Sequence, residues 1–397
     1  MEEWKEYKLG DFIKIKHGYA FEGKSISFDD NNIVLVTPGN FAIGGGFQEK
    51  KCKFFTSEYP EDYVLKADDL IVTMTDLSKD GDTLGYSAKV PFSDKRIYLH
   101  NQRIGLVQFK NTDINKDYLY WYMRSPFYQK TVLTTASGST VKHTSPDRIC
   151  NISIPVPPLE TQKKIAEILS SLDDKIELNN KINTNLEQQA QAILLYTTKY
   201  NNFEEVKLSE IAELNPESYS INDNWEYVNY LDTSSITDNI IYDVQYINFT
   251  DEKLPSRAKR KISKNDIVYS TVRPNQHHFG IIKTLLPNML VSTGFTVIRS
   301  KHQAISNEYL YLELTKPDVV EKLQQIAEQS VSTFPSVKPS DIGNCNVKVF
   351  QNNIADKLNN QLSGIYNRIA NNACENKQLS ELRDTLLPKL MSGEIEV

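Results

Sequence analysis

One short segment in the second half of the chain combines side chains that can read the edges of DNA bases. The sequence Arg273-Pro274-Asn275-Gln276-His277 follows a run of strand-forming residues, so it lies on a predicted loop. Arginine can bind guanine, and asparagine or glutamine can bind adenine, through two hydrogen bonds each. We therefore predict DNA contacts by the following residues of this loop: Arg273, Asn275, Gln276 and His277.

A string of cations precedes that loop. Between residues 253 and 264 the chain has six basic residues and no acidic one. Such a string can contact DNA phosphates, although a solvated surface strand is an equally good interpretation. The predicted phosphate contacts are Arg257, Lys259, Arg260 and Lys261.

Two segments in the first half are the predicted counterparts. One contains His100, Asn101, Gln102 and Arg103; the other contains Ser137, Ser139, Thr140, Lys142 and His143. Small hydroxyl residues beside a glycine let backbone amides approach phosphates, and an ordinary turn is the alternative interpretation. The stretch 75–82, which aligns with the Arg273 loop, is acidic and therefore a weaker candidate.

The sequence offers no motif for catalysis. An adenine methyltransferase needs Asn/Asp-Pro-Pro-Tyr/Phe, and the nearest string, at 215–218, reads Asn-Pro-Glu-Ser. The glycines at 44–46 fit neither a dinucleotide fingerprint nor a phosphate-binding loop. His277 and His278 have no third ligand at suitable spacing, and the four cysteines form no CxxC pair. We expect a protein that is not an enzyme and binds no cofactor or metal.

Composition limits the class of protein. With 397 residues, of which 40% are hydrophobic and 24% charged, the chain should form at least two packed domains. The net charge of −6 opposes DNA binding unless cations are clustered locally. No apolar run is long enough to span a membrane, and the N-terminus lacks a signal-peptide core, which predicts a cytoplasmic protein with no membrane partner.

The elements that position these residues occur twice. The segment 7–11 aligns with 206–210, and 69–72 aligns with 266–269. Internal repetition of this kind indicates two copies of one structural unit. Short runs of β-branched and aromatic residues separated by turn residues predict a mixed α/β domain in each copy, with helices at 117–131 and 307–328.

Each copy ends in a long amphipathic stripe. Apolar residues fall mostly three or four positions apart from Ile165 to Ile193 and at similar spacings from Ile354 to Leu386, and Pro388 is expected to end the second run. The spacing predicts two helices of about 35–40 residues, which should pair with each other because each has one apolar face. Several asparagines interrupt the stripes and either set the register of the pair or are simply exposed: Asn179, Asn180, Asn183, Asn371 and Asn372.

The segment 152–166, ISIPVPPLETQKKIA, carries a resemblance to a known family. It is similar to the sequence that closes each target-recognition domain in the specificity subunits of type I restriction-modification enzymes, usually Pro-Pro-Leu-x-Glu-Gln-x-x-Ile-Ala. Here Thr161 replaces the glutamate, whereas Pro157, Pro158 and Gln162 agree. The stretch LLPKLMSGE at 386–394 resembles the family's terminal sequence, while the second copy of the first motif, at 349–355, has lost the Pro-Pro pair and the glutamine.

The resemblance implies an α+β fold: two mixed α/β target-recognition domains separated by two long helices in an antiparallel coiled coil, with an internal pseudo-two-fold repeat. The predicted division is 1–156 for the first recognition domain, 157–200 for the first spacer helix, 201–349 for the second domain, and 350–397 for the second helix and tail.

The same resemblance implies a non-catalytic subunit of an adenine methyltransferase/endonuclease complex. Its partners would be double-stranded DNA with a bipartite site, two methyltransferase subunits and two restriction/translocase subunits, and these partner subunits would bind S-adenosylmethionine, ATP and Mg²⁺. Two other interpretations stay open: a coiled-coil protein–protein adaptor that does not bind DNA, and a fused restriction-methylation enzyme.

Overall fold

The computed structural model describes residues 4–49, 52–78, 80–330 and 334–397. The chain divides into two compact units, one of residues 1–176 with 377–397 and the other of residues 177–376. Each unit contains one globular part and a piece of each of two long helices.

The first unit builds its globular part from two main sheets. A five-stranded sheet has the order β3-β5-β4-β10-β6, and a four-stranded sheet has the order β2-β11-β7-β9. The pairs β1-β13 and β8-β12 stand apart from them. The bounds are β1 Lys5–Lys8, α1 Leu9–Phe12, β2 Ile13–His17, β3 Ile26–Ser27, β4 Ile33–Val36, β5 Lys53–Phe55, β6 Val64–Leu65, β7 Leu70–Thr73, β8 Thr75–Asp76, β9 Ser87–Lys89, β10 Ile97–His100, β11 Ile104–Phe109, α2 Lys116–Tyr122, α3 Pro126–Thr135, β12 Lys142–His143, α4 Pro146–Cys150 and β13 Ser153–Val156, followed by the long helix α5 Leu159–Tyr200.

The second unit repeats this plan. Its sheets have the orders β15-β24-β21-β22 and β19-β16-β23-β20, beside the pairs β14-β25 and β17-β18. The bounds are β14 Phe203–Lys207, α6 Leu208–Ile211, β15 Ala212–Leu214, β16 Tyr227–Leu231, β17 Ile236–Thr237, β18 Ile240–Ile241, β19 Gln245–Asn248, β20 Ala258–Lys261, β21 Ile267–Ser270, β22 Phe279–Ile281, β23 Met289–Ser292, β24 Phe295–Ser300, α7 Asn307–Leu314, α8 Pro317–Glu328, α9 Pro339–Gly343, β25 Asn346–Phe350 and the long helix α10 Asn352–Ser392.

The predicted internal repeat is confirmed by the pairing of strands. The order β2-β11-β7-β9 in the first unit corresponds to β15-β24-β21-β22 in the second, and β1-β13 corresponds to β14-β25. A parallel strand pair also recurs in the two units, β4 with β10 and β16 with β23. Equivalent residues of the two copies can therefore be identified from sheet register.

Prolines divide the shorter helices. Sequence periodicity predicts one helix at 117–131, but the structure has α2 and α3, with the Ser125 hydroxyl accepting from the Tyr128 amide and Pro126 in the first turn. The second copy has the same break, with α8 beginning at Pro317. Proline has no amide hydrogen and its fixed φ suits the first turn of a helix, so it starts a new helix here rather than continuing the old one.

The two long helices pair antiparallel, as predicted. In the second unit, Asn179 Nδ2 donates to Asn376 Oδ1 at 2.9 Å, and Asn372 Nδ2 donates to Asn183 Oδ1 at 2.7 Å, so residue numbers rise along one helix as they fall along the other. In the first unit, Asp173 binds Arg383 at 2.6 Å. Asn179 and Asn372 are buried, which supports the register interpretation for them, whereas Asn180 and Asn371 are exposed.

The two segments that resemble the known family lie at the start of α5 and at the end of α10. The buried Gln162 side chain accepts from the Asn115 amide at 2.7 Å and donates to Pro157 O at 2.9 Å, which ties the start of α5 to the segment before α2. At the other end, α10 continues through Pro388 to Ser392, so the prediction that the helix stops before Pro388 is wrong.

Among the described residues, none of the helices combines the length and the apolar composition that a membrane span requires.

Candidate nucleic-acid interface

Three segments that are distant in sequence lie side by side in the first unit. The Met74 amide donates to Arg103 O at 2.9 Å, and the Thr144 amide donates to Met74 O at 3.0 Å. Strand β12 pairs with β8, which places Lys142 opposite Asp76 and His143 opposite Thr75. We call the resulting surface, formed by residues 75–78, 80–83, 101–103 and 137–143, the first three-loop surface.

The second unit makes the same hydrogen bonds at equivalent positions. The Thr271 amide donates to Gly294 O at 2.8 Å, and the Val337 amide donates to Thr271 O at 2.8 Å. Thr271 corresponds to Met74, Gly294 to Arg103 and Val337 to Thr144. The second three-loop surface therefore comprises residues 271–278, 293–294 and 334–337.

The Arg273 loop has an unusual backbone. Arg273 has φ 46° and ψ 70°, and His277 has φ 57° and ψ 31°. Left-handed conformations of this kind cost non-glycine residues roughly 1–3 kcal/mol and concentrate at functional sites. Two contacts hold Arg273: its amide donates to Pro335 O at 3.0 Å, and its guanidinium carbon lies 5.2 Å from the centre of the Phe334 ring.

The remaining predicted residues of that loop are exposed. Asn275 and Gln276 are exposed, and the Asn275 backbone amide donates to Gln324 Oε1 of α8 at 3.3 Å. His277 Nδ1 lies 3.0 Å from Asp238 Oδ1, and its ring stacks on Phe279 with centroids 5.3 Å apart. These hydrogen bonds fix the backbone of the loop that carries Arg273, Asn275 and Gln276.

The four predicted phosphate-binding cations differ in their surroundings. Arg257 and Lys259 are exposed and form no salt bridge within the described residues. Lys261 forms a salt bridge with Asp223 and lies 5.3 Å from the Trp225 ring centre, so its charge is already engaged. Arg260 is half-buried, and burial lowers its pKa.

Arg257 is the cation of this string that adjoins the second three-loop surface. Its carbonyl accepts from the Thr293 amide at 2.8 Å, next to the Gly294 carbonyl that binds Thr271. Strand β20 continues from Ala258 to Lys261 against β23. Of the four cations predicted to contact phosphates, Arg257 and Lys259 therefore remain available for an external phosphate.

The turn at 100–103 separates into supporting and exposed residues. His100 is 1% exposed, its Nε2 lies 2.8 Å from Ile104 O, and burial lowers its pKa to about 4, so its ring is neutral. Asn101 is also buried, and its Oδ1 accepts from the Arg103 amide at 3.0 Å. The predicted direct DNA contacts by His100 and Asn101 are therefore corrected: these side chains are enclosed by the protein and shape the turn. Gln102 and Arg103 are exposed.

The loop at 137–143 is closed on itself. The Ser137 amide donates to His143 O at 2.9 Å and the His143 amide donates back to Ser137 O at 2.8 Å, with Gly138 at φ 96° between them. A Cβ on Gly138 would lie 2.0 Å from Val141 O, so only glycine fits there. Ser139 and Thr140 stand exposed at the tip, and Lys142 is half-buried beside it.

Two side chains fix this loop to its surroundings. Arg148 Nη1 donates to Ser137 Oγ at 2.9 Å, and His143 Nδ1 lies 3.1 Å from Thr75 Oγ1. The Ser137 hydroxyl is therefore already bound by Arg148, whereas His143 remains exposed. Arg148 was missed in the sequence, where nothing distinguishes it from an ordinary surface arginine.

The acidic stretch beside the first three-loop surface contains one carboxylate whose oxygens are bound within its own loop. Asp76, which corresponds to Arg273, is buried and accepts from the Ser78 amide at 2.6 Å and the Thr83 hydroxyl at 2.7 Å. Burial would raise the pKa of Asp76, but the hydrogen bonds from Ser78 and Thr83 outweigh it and lower the pKa. The Asp76 carboxylate therefore stabilises the loop that carries it by binding Ser78 and Thr83.

Exposed apolar residues were also missed. Leu77 is 62% exposed in the first three-loop surface and Phe334 is 56% exposed in the second. The repeat alignment was the signal for both, since it places their segments beside the predicted DNA-binding residues. In the described part of the chain, no group of three or more His, Cys, Asp or Glu could hold a metal ion.

Comparisons with known proteins agree on one family. The profile of the type I restriction modification DNA specificity domain matches residues 1–188. The chain is 23% identical to the HindI specificity subunit of Haemophilus influenzae over 100% of both chains. It is 29% identical to the MjaVIII specificity subunit of Methanocaldococcus jannaschii over 49% of this chain and 45% of that one.

A solved structure has the same fold. The S subunit of a type I restriction-modification system from M. genitalium aligns with a TM-score of 0.56 and 16% identity, covering 98% of this chain and 96% of that one. Two globular α+β parts, two long helices in an antiparallel coiled coil and an internal repeat are the features established here for this chain. Residues 1–188 thus match the DNA specificity domain of type I restriction-modification systems, and the chain over its whole length is similar to a type I specificity subunit.

Proposed function

We propose that each three-loop surface reads one half of a bipartite duplex DNA target. The observation that carries the proposal is the recurrence of one hydrogen-bonded arrangement, Met74–Arg103–Thr144 in one unit and Thr271–Gly294–Val337 in the other. Both arrangements stand beside exposed cations. Two copies of one reading device suit a target that has two separate half-sites.

The residues divide by chemistry. In the second unit, Arg273, Asn275 and Gln276 supply the donors and acceptors that distinguish bases, while Arg257 and Lys259 contact phosphates. In the first unit, Arg103 and Gln102 face the base edges. The tip of the neighbouring loop, with Ser139, Thr140, Lys142 and His143, contacts the backbone. Local cations of this kind outweigh the net charge of −6 because phosphate attraction acts over about 10 Å.

The same proposal covers the partners. The subunit carries out no chemistry and docks two methyltransferase subunits and, in the restriction complex, two restriction/translocase subunits, which bind S-adenosylmethionine, ATP and Mg²⁺. The relatives named as specificity subunits support this assignment, and neither a DNA-free adaptor nor a fused enzyme finds support among them.

The test is DNA binding by the complex with its methyltransferase subunit. Arg273→Ala should weaken binding to the specific target by about 1–3 kcal/mol and leave non-specific binding unchanged, because a bidentate base contact is lost. Lys259→Ala should weaken both kinds of binding and reduce the slope of log affinity against log salt by about 1.

The matched control is Lys24→Ala, which removes an 81% exposed lysine distant in sequence from both surfaces. It should leave the affinity and the salt slope unchanged. If Arg273→Ala and Lys259→Ala affect all DNA sequences equally, the base-reading role of Arg273 is wrong. If neither variant changes binding, the second three-loop surface is not the DNA interface.

A further inference from the structure

An exposed aromatic ring lies directly beside the proposed base-reading arginine. Phe334 is 56% exposed, and the Arg273 guanidinium carbon is 5.2 Å from its ring centre. The two side chains come from adjoining segments, because the Arg273 amide donates to the carbonyl of Pro335 at 3.0 Å. Ring and guanidinium are therefore presented together at the second three-loop surface.

The first unit has an apolar residue at the equivalent position. Helices α4 and α9 begin at the equivalent prolines Pro146 and Pro339, and counting back from them makes Val141 the counterpart of Phe334. Val141 lies between Thr140 and Lys142 in the loop of the first three-loop surface and is half-buried. Both three-loop surfaces thus have an apolar side chain at this position. The charged residue beside it is Asp76 in the first unit and Arg273 in the second.

The chemistry of a phenyl ring restricts what it can recognise on DNA. It has no hydrogen-bond donor or acceptor, so among the groups on the major-groove edges it can favourably contact only the 5-methyl group of thymine. The distance of 5.2 Å between guanidinium and ring centre corresponds to between one and two base-pair steps of about 3.4 Å. The ring consequently reaches a base pair next to the one that the guanidinium reads.

We propose that Phe334 is a specificity-determining residue that selects thymine through its 5-methyl group, beside the base pair bound by Arg273. This inference rests on the proposed function, since it requires the second three-loop surface to contact the major groove. It assigns to the half-site of the second unit a guanine with a neighbouring thymine on either strand.

The experiment uses the complex with its methyltransferase subunit. The half-site that Arg273→Ala relaxes is identified first, and each of its thymines is then replaced by deoxyuridine, which removes only the methyl group. The wild-type complex should lose about fourfold in affinity at one position, the effect of withdrawing one methyl-sized apolar contact. The Phe334→Ala complex should bind thymine DNA about fourfold more weakly and should not respond to deoxyuridine at that position.

Two variants serve as controls. Phe334→Leu keeps an apolar group and should retain part of the preference for thymine, and it replaces Phe334→Ala if the latter does not fold. Phe92→Ala removes a phenylalanine that is 85% exposed in the other unit and should retain the full response to deoxyuridine. Thermal unfolding and guanine discrimination by Arg273 report whether each variant remains intact.

Several results would overturn the inference. One is a half-site with no thymine next to the guanine, and another is a Phe334→Ala complex that still distinguishes thymine from deoxyuridine. Brightening of 2-aminopurine at that step, with no effect of deoxyuridine, would place the ring between base pairs instead. If Arg273→Ala and Lys259→Ala both bind like wild type, the proposed function itself fails; if Arg273→Ala is impaired and Phe334→Ala is not, only this inference fails.

Discussion

Asp173 connects both long helices to the globular part of the first unit. Its Oδ2 lies 2.9 Å from Arg124 Nη1, after α2, and its Oδ1 lies 2.6 Å from Arg383 Nη1 on α10. Arg124 is further held by Gly44 O at 2.9 Å and lies over the Trp121 ring at 4.3 Å. The Asp173→Ala change therefore leaves two arginines without their shared anion.

The cost follows from the exposure of the three side chains. Arg124 is 6% exposed, Arg383 19% and Asp173 30%. Breaking a buried pair costs about 3–5 kcal/mol. Partial exposure of Asp173 screens the charges and reduces this figure, so we expect a loss of about 2–3 kcal/mol. Asp173→Asn keeps an acceptor oxygen without the charge and should cost about half as much.

Hydrogen exchange measures this loss within one unit. In the complex with the methyltransferase subunit, amides of 159–173 and 377–392 should exchange about 30- to 150-fold faster in Asp173→Ala, since each 1.36 kcal/mol is a factor of ten. Amides of 186–200, in the second unit, should keep their wild-type rates. Acceleration below about fivefold at 159–173 would show that solvent already screens the pair and that Asp173 does not secure the helices.

Three further predictions concern the fold and the absence of chemistry. Because the pKa of His100 is about 4 when folded, the first unit should have its full stability above pH 6.5 and lose about 3 kcal/mol between pH 6.5 and 4; urea unfolding should show a flatter pH dependence for His100→Gln. Glu308→Ala removes the carboxylate that pairs with the enclosed Lys283 ammonium and should lower the free energy of unfolding by about 3 kcal/mol. Glu308→Leu combined with Lys283→Met removes both charges and should leave the free energy of unfolding nearly unchanged in the same assay. The isolated subunit should incorporate no methyl groups from S-adenosylmethionine into DNA; incorporation without the methyltransferase subunit would refute its non-catalytic role.

The long helices could be predicted from sequence because their information is local. A stripe that repeats every three or four residues fixes both the helix and its apolar face. The end of α10 was predicted wrongly because Pro388 lies at the helix terminus, where packing of Leu387, Leu390 and Met391 in the core of the first unit stabilises the final turn. The single helices predicted at 117–131 and 307–328 are each divided in the structure, and Pro126 and Pro317 were the local signals for these breaks.

The candidate site could be predicted only in part. Residue types identified Arg273 and its neighbours, but the junction of residues 74, 103 and 144 depends on hydrogen bonds between segments far apart in sequence. Burial of His100 and the pairing of Lys261 with Asp223 likewise depend on residues that sequence spacing does not bring together. A basic or polar residue type therefore identifies a candidate, while its availability is decided by tertiary packing.

Genome-wide mapping of methylated adenines tests most directly the claim that each unit reads its own half-site. Cells would express the methyltransferase subunit with the wild-type subunit, with Arg103→Ala or with Arg273→Ala. We predict that Arg103→Ala relaxes the sequence of one half-site, that Arg273→Ala relaxes the other, and that the unaffected half-site keeps its wild-type sequence in each case. Relaxation of both half-sites by either variant, or of the same half-site by both, would contradict the account.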